Sequence, residues 1–172
     1  MGKIILILGG ARSGKSNFAI KLAQRRKCKV GFVPTCIPLD KEMKERIKIH
    51  KKTRPGNWET FEADKDMLGI LKKITPKFKV TVIDCLTLFI SGLMMKKLKE
   101  SRIKDTTKQL LEILIKSKNI SIVVSNEVGL GIVPGTKMGR DFRDIAGRIN
   151  QIVAKAADEV YFLVSGIPWR IK

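Results

Sequence analysis

Three groups of residues in this 172-residue chain have the types and spacing that chemistry requires. The first is Gly9-Gly10-Ala11-Arg12-Ser13-Gly14-Lys15-Ser16, a glycine, four residues, then Gly-Lys-Ser, which is the pattern of a phosphate-binding loop. Its glycines let successive backbone N–H groups point inward as an anion nest, and the N-terminus of a following helix adds partial positive charge. Lys15 then reaches the outer phosphates of a nucleoside triphosphate, and the Ser16 hydroxyl is placed to coordinate Mg²⁺. The second is Asp84, which ends the apolar run Val80–Ile83 where a carboxylate would complete the Mg²⁺ shell; a helix N-cap or solvated loop acid is the plainer alternative. The third is His50, the single histidine, set in Arg46-Ile47-Lys48-Ile49-His50-Lys51-Lys52-Thr53-Arg54. Lone histidines are more often structural. These cations, however, would keep its imidazole neutral at pH 7, with a free lone pair, and a phosphoramidate formed there is labile enough to pass its group on.

These groups need a scaffold, and the sequence supplies alternating strands and helices. Lys3–Leu8 is a continuous apolar run of the kind buried on both faces of a sheet, and Ser16–Arg26 has helical periodicity. Val30–Val33 reads as a second strand, Asp40 as the N-cap of a helix over Lys41–Lys52, and Trp58–Glu62 as a short extended piece. A helix over Asp64–Ile74, a strand at Val80–Asp84 and helices over Thr87–Glu100 and Asp105–Lys116 follow. Ile120–Ser125 is a fourth strand, and Arg140–Ala157 is helical after the Gly/Pro-rich loop Val128–Lys137. Val160–Val164 and Ile167–Ile171 are the closing strands. This order predicts a single α/β domain over residues 1–172, a mainly parallel sheet with helices on both faces. Ser125–Pro134 then lies at the carboxyl edge of the sheet, where substrate contacts belong. The polar helix around Arg143, Asp144 and Asn150 reads equally as a solvated face or as an inter-subunit and substrate surface.

Composition narrows the partners. The chain carries 35 Lys+Arg against 16 Asp+Glu, a formal net charge of +19. The lysines are spread along the whole length and are not interleaved with aromatics, so they read as a solvated surface rather than a nucleic-acid groove. Such a field would also attract a phosphate-rich small substrate. Cys28, Cys36 and Cys85 have no metal-ligand spacing and read as reduced thiols of a cytoplasmic protein. No apolar run is long enough to span a membrane, and Ile4–Leu8 is too short for a signal peptide.

In their order along the chain these pieces resemble the bifunctional adenosylcobinamide kinase / adenosylcobinamide-phosphate guanylyltransferase family of cobalamin assembly. The resemblance is carried by Gly9–Ser16, by Asp40-Lys41-Glu42-Met43 with Arg46-Ile47 and His50, and by Arg54-Pro55 with Trp58 and Glu62. It continues through Asp84-Cys85-Leu86-Thr87, Ser125-Asn126-Glu127-Val128-Gly129, Gly131-Ile132-Val133-Pro134, Phe142-Arg143-Asp144, Asn150-Gln151 and Val164-Ser165-Gly166-Ile167-Pro168. It implies a P-loop NTPase (RecA-like) three-layer fold, assembly as a homo-oligomer with a trimer favoured, and two reactions. In one, ATP or GTP phosphorylates the aminopropanol hydroxyl of adenosylcobinamide. In the other, GTP guanylylates His50 and GMP passes to adenosylcobinamide phosphate. The implied nucleotide contacts are Gly9, Gly10, Ala11, Arg12, Ser13, Gly14, Lys15, Ser16, then Pro34, Thr35, Cys36, Lys51, Lys52, Thr53, Arg54, Glu62 and Asp84. Cys36 departs from the small or hydroxyl residue frequent in the family. A generic P-loop small-molecule kinase, with His50 incidental, is the alternative reading. A nucleic-acid-dependent ATPase is a third.

Overall fold

The apolar runs come together in one sheet. The structure, a computed structural model, describes residues 1–35, 55–63 and 66–172. Its strands are β1 (Lys3–Gly9), β2 (Val30–Pro34), β3 (Glu59–Thr60), β4 (Val80–Asp84), β5 (Ile120–Val124), β6 (Glu159–Val164) and β7 (Ile167–Arg170). Its helices are α1 (Lys15–Gln24), α2 (Met67–Ile74), α3 (Leu86–Met95), α4 (Glu100–Lys116) and α5 (Lys137–Ala156). The sheet order is β3-β2-β4-β5-β1-β6-β7, parallel except for β7, which runs antiparallel to β6.

The central strands are apolar on both sides because both sides are covered. Alternate residues of β1 divide between two cores: Ile5 and Ile7 meet Ala19 and Ala23 of α1, while Ile4 and Leu6 belong with Leu71, Ile90, Leu110 and Ile149. Helices therefore lie on both faces, unevenly: α1 on one, and α2 to α5 on the other.

Several helix boundaries differ from the sequence expectation, chiefly at the α3–α4 junction and at the start of α5. The stretch expected as one helix from Thr87 to Glu100 stops at Met95, and α4 begins at Glu100 rather than Asp105. The break is a left-handed cap at Lys97 (φ 57°), whose amide donates to the Met94 carbonyl while the Leu98 amide donates to that of Leu93. Glycine usually fills this position, so a lysine there gave no stop signal. Helix α5 begins at Lys137 instead of Arg140, because the Thr136 hydroxyl accepts from the Gly139 amide at 3.1 Å and caps the first turn. Trp58–Glu62 was expected as a short extended piece, and Glu59–Thr60 joins the sheet beside β2. The expected helix Lys41–Lys52 lies outside the described residues.

Candidate nucleotide-binding site

The phosphate-binding loop fills the connection from β1 to α1 and has the backbone its glycines permit. Gly9 sits at φ 152° and Gly14 at φ 91°, with Arg12 left-handed at φ 56°. A Cβ on Gly9 would lie 2.7 Å from both the Leu163 carbonyl oxygen and Ser13 Oγ, so the bend has no room for a side chain. Gly14 is the N-cap of α1 and has no side chain to occupy the first-turn amides, which leaves them to an anion. The loop is braced from behind: the Gly166 amide, in the tight turn between β6 and β7, donates to the Ser13 carbonyl at 3.0 Å. The turn residues Ser165 (φ 49°) and Gly166 (φ 83°) have the paired positive φ of a type I′ hairpin.

Lys15 folds back over the loop. Its ammonium donates to the Gly10 carbonyl at 2.5 Å and to Ser13 Oγ at 3.3 Å, and the residue is only 6% exposed. Burial holds its pKa below that of an ordinary lysine, while the nearby Cys85 and Asp84 pull the other way.

Asp84 ends β4, and β5 separates it from β1. Two inter-strand steps put the ends of β1 and β4 about 10 Å apart along the carboxyl edge. That span has room for phosphates and a cation between the loop and the carboxylate. The Asp84 carbonyl accepts from the Thr35 amide at 3.0 Å, which ties the end of β2 to it. The Thr35 hydroxyl donates to the Cys85 carbonyl at 2.5 Å and accepts from the Cys85 amide at 2.8 Å. The Cys85 thiol is pushed up to about 12, by burial first and by Asp84 second, so it stays protonated and chemically quiet.

No group of three or more His, Cys, Asp or Glu side chains able to hold a metal exists among the described residues. A fully protein-built cage is thereby excluded there. What remains is a hydroxyl at Ser16 and a carboxylate at Asp84, hard oxygen donors that suit Mg²⁺ held jointly with phosphates.

Gly9–Ser16, Pro34, Thr35 and Asp84 thus lie along one carboxyl edge, at the ends of β1, β2 and β4, with β5 between β1 and β4. Glu62 follows β3 on the same edge, four strands from β1 and hence about 19 Å away. An extended ligand, not a compact one, would bridge that distance. Cys36, His50, Lys51, Lys52, Thr53 and Arg54 lie outside the described residues.

The structure also joins Thr87, Ser125 and Asn150 in a network that the sequence reading does not foresee. Thr87, Ser125 and Asn150 are buried polar side chains from α3, the end of β5 and α5. Thr87 Oγ1 lies 3.0 Å from Ser125 Oγ and accepts from the Asn126 amide at 2.6 Å. Asn150 accepts from Ser125 Oγ at 2.7 Å and donates to the Asn126 carbonyl at 3.0 Å. The next residue, Glu127, donates its amide to the Gly9 carbonyl at 2.9 Å. The sequence left Asn150 open between a solvated face and an inter-subunit or substrate surface, whereas the structure buries it at 4% exposure.

Comparison with known proteins shows the family. Residues 5–171 match the family described as cobinamide kinase / cobinamide phosphate guanyltransferase. The chain is 36% identical to the bifunctional adenosylcobalamin biosynthesis protein CobP of Pseudomonas aeruginosa, over 97% of this chain and 96% of that protein. It is 36% identical to the protein CobU of Salmonella typhimurium, and 35% identical to CobU of Escherichia coli, in each case over 98% of this chain and 99% of the other. Among solved structures, the RadB recombinase superposes with a TM-score of 0.54 at 16% identity, covering 94% of this chain and 74% of that one, a likeness of fold alone. With a family match spanning nearly every residue and relatives matched end to end, the chain belongs to the cobinamide kinase / cobinamide phosphate guanyltransferase family.

Proposed function

We propose that this chain is a single catalytic domain carrying both reactions of its family at the carboxyl edge of the sheet. Phosphoryl transfer from ATP or GTP to the side-chain hydroxyl of adenosylcobinamide is the first. Guanylyl transfer from GTP, through a covalent adduct on His50, to adenosylcobinamide phosphate is the second. The observation that carries the reading is the pairing of a buried Lys15 and the α1 N-terminus with Asp84 across the width of β5.

In this reading the first-turn amides of α1 and the Lys15 ammonium hold the β- and γ-phosphates and take up the negative charge that develops on the leaving oxygen. Ser16 and Asp84 would hold Mg²⁺, which would neutralise phosphate charge. In the second reaction the neutral imidazole of His50 attacks the α-phosphorus, the bond to the β-phosphate oxygen breaks, and pyrophosphate leaves. The GMP–imidazole bond then breaks as a phosphate oxygen of adenosylcobinamide phosphate attacks. The enzyme works in the cytoplasm as a homo-oligomer, a trimer favoured, on small corrinoid substrates rather than nucleic acid. No described helix is long and apolar enough to cross a membrane.

Incubation with α-labelled GTP tests the reading. An acid-labile, base-stable label on the wild-type chain, absent from His50→Ala while triphosphate binding persists, is the expected result. A wild-type chain that takes no label but passes γ-phosphate to an acceptor would instead be a plain small-molecule kinase.

A further inference from the structure

The site as described has a phosphate cradle and a cation-binding carboxylate, but nothing yet to remove the proton of the acceptor hydroxyl. We propose that Glu127 is that base, and that Asn150 is a positioning residue which aims it through the segment Ser125–Asn126; the proposal rests on the phosphoryl-transfer reading above.

Sheet order supplies the first argument. Strand β5 lies between β1 and β4, so the segment leaving it emerges between the phosphate loop and Asp84. That is where the terminal phosphate of a bound triphosphate must lie if Lys15 and Asp84 flank it. On the segments leaving β1, β4 and β5, the carboxylates are Asp84 and Glu127. Asp84 would be taken by the cation and Glu62 is four strands off, which leaves Glu127 among the described residues.

Rigidity supplies the second. The Glu127 backbone is pinned to the phosphate loop by its amide bond to the Gly9 carbonyl. The residue before it is held on both sides, its amide by Thr87 and its carbonyl by Asn150. The Asn150 side chain, 4% exposed, spends its oxygen on Ser125 and its nitrogen on Asn126, so it has one stable orientation. One carboxylate oxygen of Glu127 accepts from the Gly129 amide at 3.2 Å, which fixes the side chain and leaves the other oxygen to a ligand. A base must be held within hydrogen-bond reach of its proton, and a buried hydrogen-bonded network does this at low entropic cost.

The step balances without a further reagent. The acceptor hydroxyl gives its proton to the Glu127 carboxylate as its oxygen bonds to the γ-phosphorus. The bond from that phosphorus to the β,γ-bridging oxygen breaks, and the electron pair leaves with the nucleoside diphosphate facing Lys15. Glu127 is only half-buried and returns the proton to solvent. Guanylyl transfer has no need of this base, since its nucleophile is a neutral imidazole.

The two reactions therefore separate in the test. Glu127→Gln keeps the size and the acceptor for the Gly129 amide but cannot take a proton. It is expected to lower kcat for γ-phosphate transfer to adenosylcobinamide about 100-fold or more, with KM for triphosphate and the rate of GMP labelling from α-labelled GTP within threefold of wild type. Asn150→Ala is expected to lower the same kcat. The double variant should fall little below Glu127→Gln alone, because a residue acting through another contributes nothing once that other is gone. A Glu127→Gln protein that transfers phosphate within fivefold of wild type, or that loses GMP labelling instead, overturns the base. Losses that multiply in the double variant overturn the positioning role of Asn150. A wild-type protein that makes no adenosylcobinamide phosphate overturns the kinase reading itself, and the base with it.

Discussion

In the proposed reading Lys15 is the residue on which nucleotide chemistry turns, and its burial sets how it titrates. Because desolvation lowers its pKa, the ammonium loses its proton below the 10.5 of an ordinary lysine, and with it the attraction to phosphate. Triphosphate affinity should therefore weaken as pH rises toward that value, starting earlier than a free lysine would dictate. Lys15→Met should abolish this alkaline limb and lower phosphoryl transfer by about 10²–10³-fold; titration calorimetry across pH and single-turnover kinetics read the two effects. The loop glycines can be separated in the same way. Gly9→Ala places a Cβ 2.7 Å from the Leu163 carbonyl at φ 152°, and should destabilise by about 1–3 kcal/mol from backbone strain alone. Gly10→Ala, which points into open space, should leave the urea midpoint unchanged. At this scale the sequence was largely legible: a loop whose function is local in the chain carries its own signature. Thr87 and Asn150 were not, because what makes them matter is contact between segments 39 residues apart at Asn126–Thr87 and 24 apart at Asn150–Asn126.

Among the elements, the turn between α3 and α4 shows why helix ends are harder to read than helices. Met94–Glu100 consists of good helix formers, so the sequence carries one helix through to Glu100. The chain nonetheless turns at Lys97, with the two hydrogen bonds of a Schellman cap and a Leu98–Leu93 juxtaposition that lets α4 set off in a new direction. A lysine in the left-handed region is strained relative to glycine by about 1–2 kcal/mol. Lys97→Gly should therefore raise the stability of the fold by about 1 kcal/mol, part of the gain being lost to the freer unfolded chain. Chemical denaturation checks this, and a lower midpoint would show that the lysine side chain contributes packing that outweighs the strain. The strands were simpler to place because a parallel sheet covered on both faces must be apolar throughout, and the runs at β1, β4 and β5 say so directly.

Over the whole molecule the dominant physical fact is charge. With a formal +19, the folded chain repels itself, and moderate salt should raise its melting temperature by screening. The carboxylates are correspondingly valuable. Glu159 is held below the ordinary glutamate range chiefly by its hydrogen bond from Lys3, and Glu100 chiefly by those from Lys104 and Arg148. A carboxylate whose pKa is lower when folded stabilises fully above its unfolded value of 4.5 and loses that contribution as pH falls through the folded value. Stability should thus fall below about pH 4.5, and Lys3→Met should flatten part of that fall, as urea midpoints measured from pH 3 to 7 would show. Sheet order could not be read from the sequence, since the same alternation of strands and helices fits several orders; hence the place of Glu127 between the phosphate loop and Asp84 emerged only from the structure.

The order of the strands also dictates when the site can come into being. Strand β1, which carries the phosphate loop, pairs only with β5 and β6, and both lie beyond residue 119. Near its start, the Ile4 amide donates to the Asp158 carboxylate 154 residues further on. During synthesis, then, β2 and β4 can pair while β1 waits unzipped, and it closes last, when the strand that parts it from β4 slides between them. A fragment of residues 1–119 holds Gly9–Ser16, His50 and Asp84, yet should bind no triphosphate and expose a sticky, aggregation-prone strand. Nucleotide binding in this protein is a property acquired at the end of the chain, not at the beginning where its best-known signature is written.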